Sequence, residues 1–306
     1  MALRLGRPYG WGVSDDGRTR EFLDRFAVTP VAPERYTGTC HPAWPGRAFG
    51  GQLAAQSVQA AAAALTDESL HPWSLHILFH APVASNSRID YQVLALKEGR
   101  TLTSRQVRVE QDGKLRATAV VLFGMTAEGP EHQYQQPDAP PPALVPPEER
   151  LIDPTLVAPD ADFEELGYPA ESLVDLRIVE RAERGPADNS AETSDGYLRK
   201  AWMRVIPDLP DDPITAAATL CYLSDITLGT TALQPHGGRS HTTELQLGAV
   251  ELALWFTGPA TLSEWTMFAQ DTAFAGRGHG LAHGVFFNSR GEVSAVAMQN
   301  ALMRRR

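Results

Sequence analysis

Two stretches of the chain, LHILFHAP at Leu75–Pro82 and LALWFTGP at Leu252–Pro259, share their leucine, phenylalanine and final proline at an offset of 177 positions. The turn Gly99–Arg100 recurs as Gly276–Arg277 with the same offset. Because the spacing between the stretch and the turn is the same in both copies, the similarity extends beyond one short motif.

The repeat continues beyond this turn with one inserted residue. Gly113 matches Gly291 and Met125 matches Met303, both at an offset of 178. A register held over about 50 residues predicts two units of similar fold in one chain.

Each unit is predicted to contain one main helix and several long antiparallel strands. Gln52–Leu65 is rich in strong helix formers, and Asp112-Gly113 predicts a tight hairpin turn. Strands are predicted at Ser74–Phe79, Ile89–Leu96, Leu102–Glu110 and Leu115–Phe123 in the first unit, and at Leu173–Glu180 and Tyr197–Ile206 in the second, followed by a helix from Ile214 and strands between Glu244 and Met303.

One helix with several strands per unit predicts an α+β fold in which each antiparallel sheet wraps around its own central helix. Two such sheets can join edge to edge, which removes an exposed edge from each. This arrangement is a double hotdog. We expect an N-terminal repeat at residues 1–129 and a C-terminal repeat, carrying the candidate site, at residues 160–306.

The segment between the repeats is rich in proline. Nine prolines occur from Pro130 to Pro159. Because proline lacks a backbone N–H and breaks helices, this segment can form neither a helix nor a central strand. We interpret residues 130–159 as an extended linker.

The composition is that of a globular protein. The 306 residues are 43% hydrophobic and 21% charged, which is enough apolar material for two ordinary domains. The net charge of -10 argues against binding to a nucleic-acid backbone.

Cysteine use and the apolar segments favour a cytoplasmic protein. Cys40 and Cys221 are the only cysteines and lie far apart, and Met1–Gly10 lacks the apolar core of a signal peptide. Leu53–Leu65 and Ile214–Leu223 are too short to span a bilayer. We therefore expect no membrane insertion.

Several short motifs follow one another from about Arg47 to Arg306, apart from the proline-rich segment and neighbouring insertions. They are FGGQ at Phe49–Gln52, LHILFHAP, Gly99-Arg100 before TSRQVRVEQDGK, WMR at Trp202–Arg204, LPDDP at Leu209–Pro213, YLSD at Tyr222–Asp225, LQPHG at Leu233–Gly237, WFTGP at Trp255–Pro259 and Gln299. Each motif alone is weak evidence for any family. In this order and spacing they resemble the acyl-CoA thioesterase II family.

The resemblance implies a double-hotdog enzyme that hydrolyses acyl-CoA to a fatty acid and free CoA without a dissociable cofactor. In that family an Asp, a Ser or Thr, and a Gln of the second repeat hold and activate a water molecule. The Asp falls on Asp225 and the Gln on Gln299. Ala249-Val250-Glu251-Leu252 stands where the family has Ser or Thr, an apolar residue, Asp and His. Val121 takes the place of Gln299 in the first repeat, which is therefore expected to be scaffold.

The side chains suit this chemistry. Thioester hydrolysis needs a water made nucleophilic near neutral pH and donors for the developing oxyanion. Asp225 can accept the proton of the water, and Gln299 can orient the water or donate to the oxyanion. The sequence leaves open whether Asp225 precedes the second helix or lies within it.

The missing hydroxyl at Ala249 raises two possibilities for the site. Losing one preorganised contact costs on the order of 10²-fold in rate, which leaves weak hydrolysis. Alternatively, Glu251 takes part in catalysis, because the period of two in a strand predicts that it shares the face of Ala249.

The sequence leaves other functions open. Ala249 and Leu252 favour, as an alternative, a degenerate acyl-CoA-binding protein that does not hydrolyse its ligand. Another hotdog chemistry, such as acyl-CoA hydration, is a third candidate, but the Asp and His pair expected for it is not evident. In isolation, an Asp near a helix start is often a cap and a Gln in a strand is often a surface amide.

We predict no metal site and one class of ligand. His279 and His283 fall on one strand face, but no third ligand is evident. GRGHG at Gly276–Gly280 is interpreted as a turn, since its spacing does not fit a dinucleotide-binding loop. The expected partner is an acyl-CoA of fatty acid metabolism, and we expect a homodimer or larger homo-oligomer.

Overall fold

The computed structural model describes residues 15–44, 47–148, 151–152, 168–169, 173–180, 197–236 and 245–305. The helices are α1 (Asp15–Asp24), α2 (Gly50–Ala63) and α3 (Pro213–Thr231). Strands of the first half are β1 (Thr29–Ala32), β2 (Arg35–Thr39), β3 (Pro42–Trp44), β4 (Arg47–Ala48), β5 (His71–Phe79), β6 (Arg88–Lys97), β7 (Leu102–Gln111) and β8 (Lys114–Gly124). They are followed by β9 (Leu151–Ile152), β10 (Tyr168–Pro169), β11 (Val174–Glu180), β12 (Arg199–Val205), β13 (Leu245–Phe256), β14 (Thr266–Gly276), β15 (His279–Phe287) and β16 (Val293–Arg305).

Twelve of the described strands form one antiparallel sheet, in the order β1-β2-β6-β7-β8-β5-β13-β16-β15-β14-β12-β11. The central pair, β5 and β13, joins the two repeats edge to edge, from Ser74 opposite Trp255 to Leu78 opposite Glu251. Read outward from this junction, the strand order of one half reproduces that of the other. The predicted double hotdog is confirmed.

The two halves also agree in detail at their hairpins. Met125 N donates to the carbonyl of Thr101 at 3.2 Å, and Met303 N donates to the carbonyl of Gly278 at 2.8 Å. These bonds occupy equivalent places in the two repeats. The predicted turn at Asp112-Gly113 is confirmed by positive φ angles of 52° and 69°, as two-residue hairpin turns of this type require.

The helices α2 and α3 lie side by side against the inner face of the sheet. Leu75 and Ile77 of β5 and Leu252 and Leu254 of β13 point inward and are fully buried. This apolar layer holds both helices on the junction between the repeats. No helix of the described ranges is both long and apolar enough to cross a membrane.

The proline-rich segment packs against the sheet. Trp202 Nε1 donates to the carbonyl of Pro140 at 2.9 Å, and Lys200 Nζ donates to the carbonyl of Asp138 at 2.6 Å. Val145 is buried against Trp202 on the outer face of the second repeat. Residues 133–148 therefore cover part of this face; residues 149–150 and 153–159 of the interpreted linker lie outside the described ranges.

Candidate active site

Asp225 lies inside α3, which settles the position that the sequence left open. Its Oδ2 accepts a hydrogen bond from the backbone N–H of Gly51 at 2.7 Å. Its Oδ1 accepts a hydrogen bond from Nε2 of Gln299 on β16. The carboxylate therefore joins the start of α2, in the first repeat, to a helix and a strand of the second.

The two helices differ in how their first turns are capped. The first N–H groups of any helix lack intrahelical partners. In α3 the side chain of Asp212 accepts from the N–H groups of Ile214 and Thr215. The N-cap of α2 is Phe49, which makes no side-chain hydrogen bond, so Asp225 of the other repeat accepts from this turn instead. The positive end of the α2 dipole favours the ionised form of that carboxylate.

Gln299 points inward from β16 and is 1% exposed. A carboxylate accepts hydrogen bonds, so the amide nitrogen of Gln299 faces Asp225. Its Oε1 is buried and has no hydrogen-bond donor within the described part of the chain. This oxygen can accept a hydrogen bond from a molecule in the site. In the first repeat, Val121 occupies the equivalent place and is fully buried in the core.

Burial governs the electrostatics of the carboxylate. Desolvation raises the pKa of Asp225 above its ordinary value of 3.8, and the hydrogen bonds from Gln299 and Gly51 offset part of this rise. The carboxylate is surrounded by protein atoms, although the residue as a whole keeps some access to solvent. A raised pKa suits a group that must take a proton from water near neutral pH.

Glycine allows the helices to approach closely at this point. A Cβ on Gly50 would lie 2.8 Å from Asp225 Oδ2, and a Cβ on Gly51 would lie 2.8 Å from the carbonyl oxygen of Tyr222. Any larger residue at these positions would separate α2 from α3 or displace the carboxylate. Close packing of α2 against α3 beside Asp225 thus explains the two glycines of the FGGQ motif.

An aromatic cluster closes one side of this helix pair. The centroid of the Tyr222 ring lies 6.0, 5.4 and 5.1 Å from the ring centroids of Phe22, Phe26 and Phe49, respectively. Arg25 Nη1 donates to the hydroxyl of Tyr222 at 3.2 Å. This cluster was not predictable from the sequence, because residues far apart in the chain form it and no local pattern marks them.

A bulge in β13 determines which residues face the site. Ala249 pairs with Ala301 and Leu252 pairs with Gln299, whereas Glu251 pairs with Asn300. Cross-strand partners share a face, so Ala249 lies on the inner face with Gln299, and Glu251 lies on the outer face. The prediction that Glu251 shares the face of Ala249 is wrong, because the bulge adds one residue and breaks the period of two.

The outer position of Glu251 removes the geometric basis for its predicted catalytic role. Its partner on β5 is Leu78, which is exposed on the outer face. The sheet therefore lies between this carboxylate and the Asp225–Gln299 pair.

Family models match both repeats. Residues 40–124 match the acyl-CoA thioesterase N-terminal domain, and residues 182–302 match acyl-CoA thioesterase. The chain belongs to the acyl-CoA thioesterase II family. The match to the second model includes the positions of Asp225, Ala249 and Gln299.

Curated relatives of this family align over most of their length. Acyl-CoA thioesterase 2 of Haemophilus influenzae is 28% identical over 257 residues, covering 84% of this chain and 87% of the relative. Human acyl-coenzyme A thioesterase 8 is 27% identical over 311 residues, covering 96% of this chain and 94% of the relative.

Solved structures support the same fold. Acyl-CoA thioesterase II TesB2 of Mycobacterium marinum superposes with a TM-score of 0.75 at 26% identity, covering 94% of this chain and 98% of that one. A protein of unknown function with a hot dog fold from Alicyclobacillus acidocaldarius superposes at 0.68 with 21% identity, covering 93% of this chain and 98% of that one, and supports the fold alone.

The histidines noted in the sequence lie away from the Asp225–Gln299 pair. His279 and His283 share the outer face of β15, as predicted, and His279 Nδ1 lies 3.0 Å from Asn300 Oδ1. In the ranges that the structure describes, no group of three or more His, Cys, Asp or Glu side chains is arranged to hold a metal ion. Arg277 and Gly278 have positive φ angles, which confirms the predicted turn.

Proposed function

We propose that Asp225 and Gln299 carry out the hydrolysis of acyl-CoA thioesters in this thioesterase. The observation that carries the proposal is the polar pair itself. The Asp225 carboxylate is held by donors on both oxygens, and Gln299 next to it presents a buried acceptor with no donor among the described residues.

In the proposed reaction, a water molecule donates its two O–H groups to Asp225 and to Gln299 Oε1. The water oxygen attacks the thioester carbonyl carbon while Asp225 takes one proton. The tetrahedral intermediate then breaks its C–S bond, and the proton passes from Asp225 to the leaving thiolate. The products are the free fatty acid and CoA in its thiol form.

This arrangement favours an orienting role for Gln299, because its amide nitrogen donates to Asp225 and its unpartnered Oε1 is an acceptor that can hold a water O–H but not an oxyanion. The developing oxyanion would instead accept from a backbone N–H group in the first turn of α2 other than that of Gly51, which donates to Asp225. Two features support this role: the partial positive charge of a helix N-terminus and the lack of side chains at Gly50 and Gly51.

Thiol release from a panel of acyl-CoAs tests the proposal, with Asp225→Asn as the matched variant. Hydrolysis by the parent chain that falls strongly in this variant supports the mechanism. Stabilisation by acyl-CoA against heat, without thiol release, would instead support the binding protein suggested by Ala249. Nothing in the comparisons favours that alternative.

We further infer a cytoplasmic setting. Cys40 and Cys221 are both free and buried, which suits a reducing compartment. Burial raises the pKa of the Cys40 thiol to about 12, so this group stays protonated and unreactive.

We also propose that the chain forms a homodimer through the outer face of the sheet. Large apolar side chains are exposed on neighbouring central strands of this face, namely Leu78, Val120, Trp255 and Met298. Exposed apolar patches of this kind favour association. Sedimentation of the parent and of Leu78→Lys tests the proposal: a dimer that the substitution dissociates supports it, and a monomeric parent contradicts it.

A further inference from the structure

Gly229 lies beside the polar pair, in the second half of α3. It follows Asp225 by four residues, so the two positions lie on the same face of the helix. A Cβ built on Gly229 would lie 2.9 Å from Gln299 Oε1, and the next two atoms are Cδ and Nε2 of the same carboxamide, at 3.6 and 4.0 Å. The Gln299 carboxamide thus rests against the bare backbone of this glycine.

The helix itself gives no reason for glycine at this position. Glycine is one of the least favourable residues in a helix interior, and α3 otherwise consists mainly of Ala, Thr, Leu and Ile. The φ angle of Gly229 is not in the positive range that would require glycine. Gln299 supplies the three nearest contacts that a larger residue would make.

We propose that Gly229 is a positioning residue for Gln299. The missing side chain of Gly229 leaves the space in which the carboxamide lies along α3, with Nε2 on Asp225 and Oε1 next to the glycine backbone. A methyl group at this position would push Oε1 away and turn the amide nitrogen off the carboxylate. This inference rests on the proposed role of Gln299 in water activation.

The central test is Gly229→Ala. We expect a melting temperature at or above that of the parent, because alanine favours the helix and the clash is with the end of a flexible side chain. We expect kcat to fall by roughly 10-fold to 10²-fold with a smaller change in KM. The acid limb of the rate profile should move to higher pH, because Asp225 loses a hydrogen bond that lowers its pKa.

A double-mutant cycle separates this role from a general effect on α3. In Gln299→Ala, adding Gly229→Ala should change kcat no further, since the group that it displaces is gone. Gly248→Ala is the matched control, because a Cβ there would meet no atom within 4 Å. It should keep parent activity.

Each outcome decides the inference. Parent kcat and parent pH profile in Gly229→Ala would overturn it, as would an equal loss of rate in the Gln299→Ala background. If Gly229→Ala alone does not fold, the double variant should restore folding by removing the clash, and failure to do so also overturns it. Parent activity in Gln299→Ala alone would instead remove Gln299 from the proposed function.

Discussion

The backbone N–H of Gly51 donates to Oδ2 of Asp225 at 2.7 Å, so a carboxylate of the second repeat caps the helix of the first. The two residues are 174 positions apart, and neither repeat alone contains both groups. The site therefore depends on the packing of α2 against α3. This packing also places the Asp225 carboxylate at the positive end of α2, which stabilises negative charge.

Asp225→Asn should lower kcat by about 10²-fold to 10⁴-fold with little change in acyl-CoA affinity, because the water loses its base. Thiol release under saturating substrate measures this loss. Asp90→Asn is a suitable control, since Asp90 forms an exposed ion pair with Arg88 on β6. Parent rates in a folded Asp225→Asn variant would remove this carboxylate from the mechanism.

The stability of the parent should depend on pH through Asp225. Burial raises its folded pKa above the unfolded value, so its contribution is most favourable below the unfolded pKa and is lost as pH rises through the folded pKa. Asparagine does not ionise, so the Asp225→Asn variant does not lose this stability as the pH rises. Its melting temperature relative to the parent should therefore rise with pH and then level off. A difference that stays constant across this range would contradict the raised pKa.

Gln299→Leu should lower kcat and shift the acid limb of the pH–rate profile to higher pH. The variant removes an acceptor for the water and a donor that lowers the pKa of Asp225. Gln270→Leu provides a buried control, because Gln270 bonds to Thr227 and Thr231 of α3. That variant should lose stability while its acid limb stays in place. An unshifted limb in Gln299→Leu would refute the coupling to Asp225.

Ala249→Ser should raise the rate of thiol release. Ala249 lies on the inner face of β13, the face to which Gln299 points from β16. A hydroxyl there should add a polar contact to the attacking water. The gain should be about 10-fold to 10³-fold if the oxygen fits without strain. Ala253→Ser on the outer face is the control. If both variants keep the parent rate, the missing hydroxyl is not what limits hydrolysis.

Glu251→Gln should leave thiol release unchanged, because the bulge in β13 turns Glu251 to the outer face. Kinetics with the same acyl-CoA panel measure this directly. A substantial loss of kcat would show that Glu251 reaches the reacting atoms and that its assignment to the outer face is incorrect.

The main helices and the long strands were predictable because they depend on local signals, whereas α1 and β1–β4 were not predicted. Helix formers at Gln52–Leu65 and the hairpin signal at Asp112-Gly113 predicted elements that are present, with helix and strand ends shifted by a few residues. The face of Glu251 was not predictable in this way. A bulge depends on how two strands pair, and a period of two within one strand carries no information about an extra residue.

The sequence by itself determined the duplication, the main helix and the long strands of each repeat and, through the resemblance, the family and Asp225 and Gln299 as candidate residues. The duplication and these elements rest on periodicity and a constant offset, whereas the family and the two candidate residues rest on a resemblance carried by the order of motifs along the chain. The tertiary structure alone decided that Asp225 accepts a hydrogen bond from Gly51 at the start of α2 and that Gln299 reaches the same carboxylate. It also decided that Gly229 leaves room for the carboxamide of Gln299. The physical reason is that these contacts join residues far apart in the chain, and their geometry is set by how closely two helices and a sheet pack together.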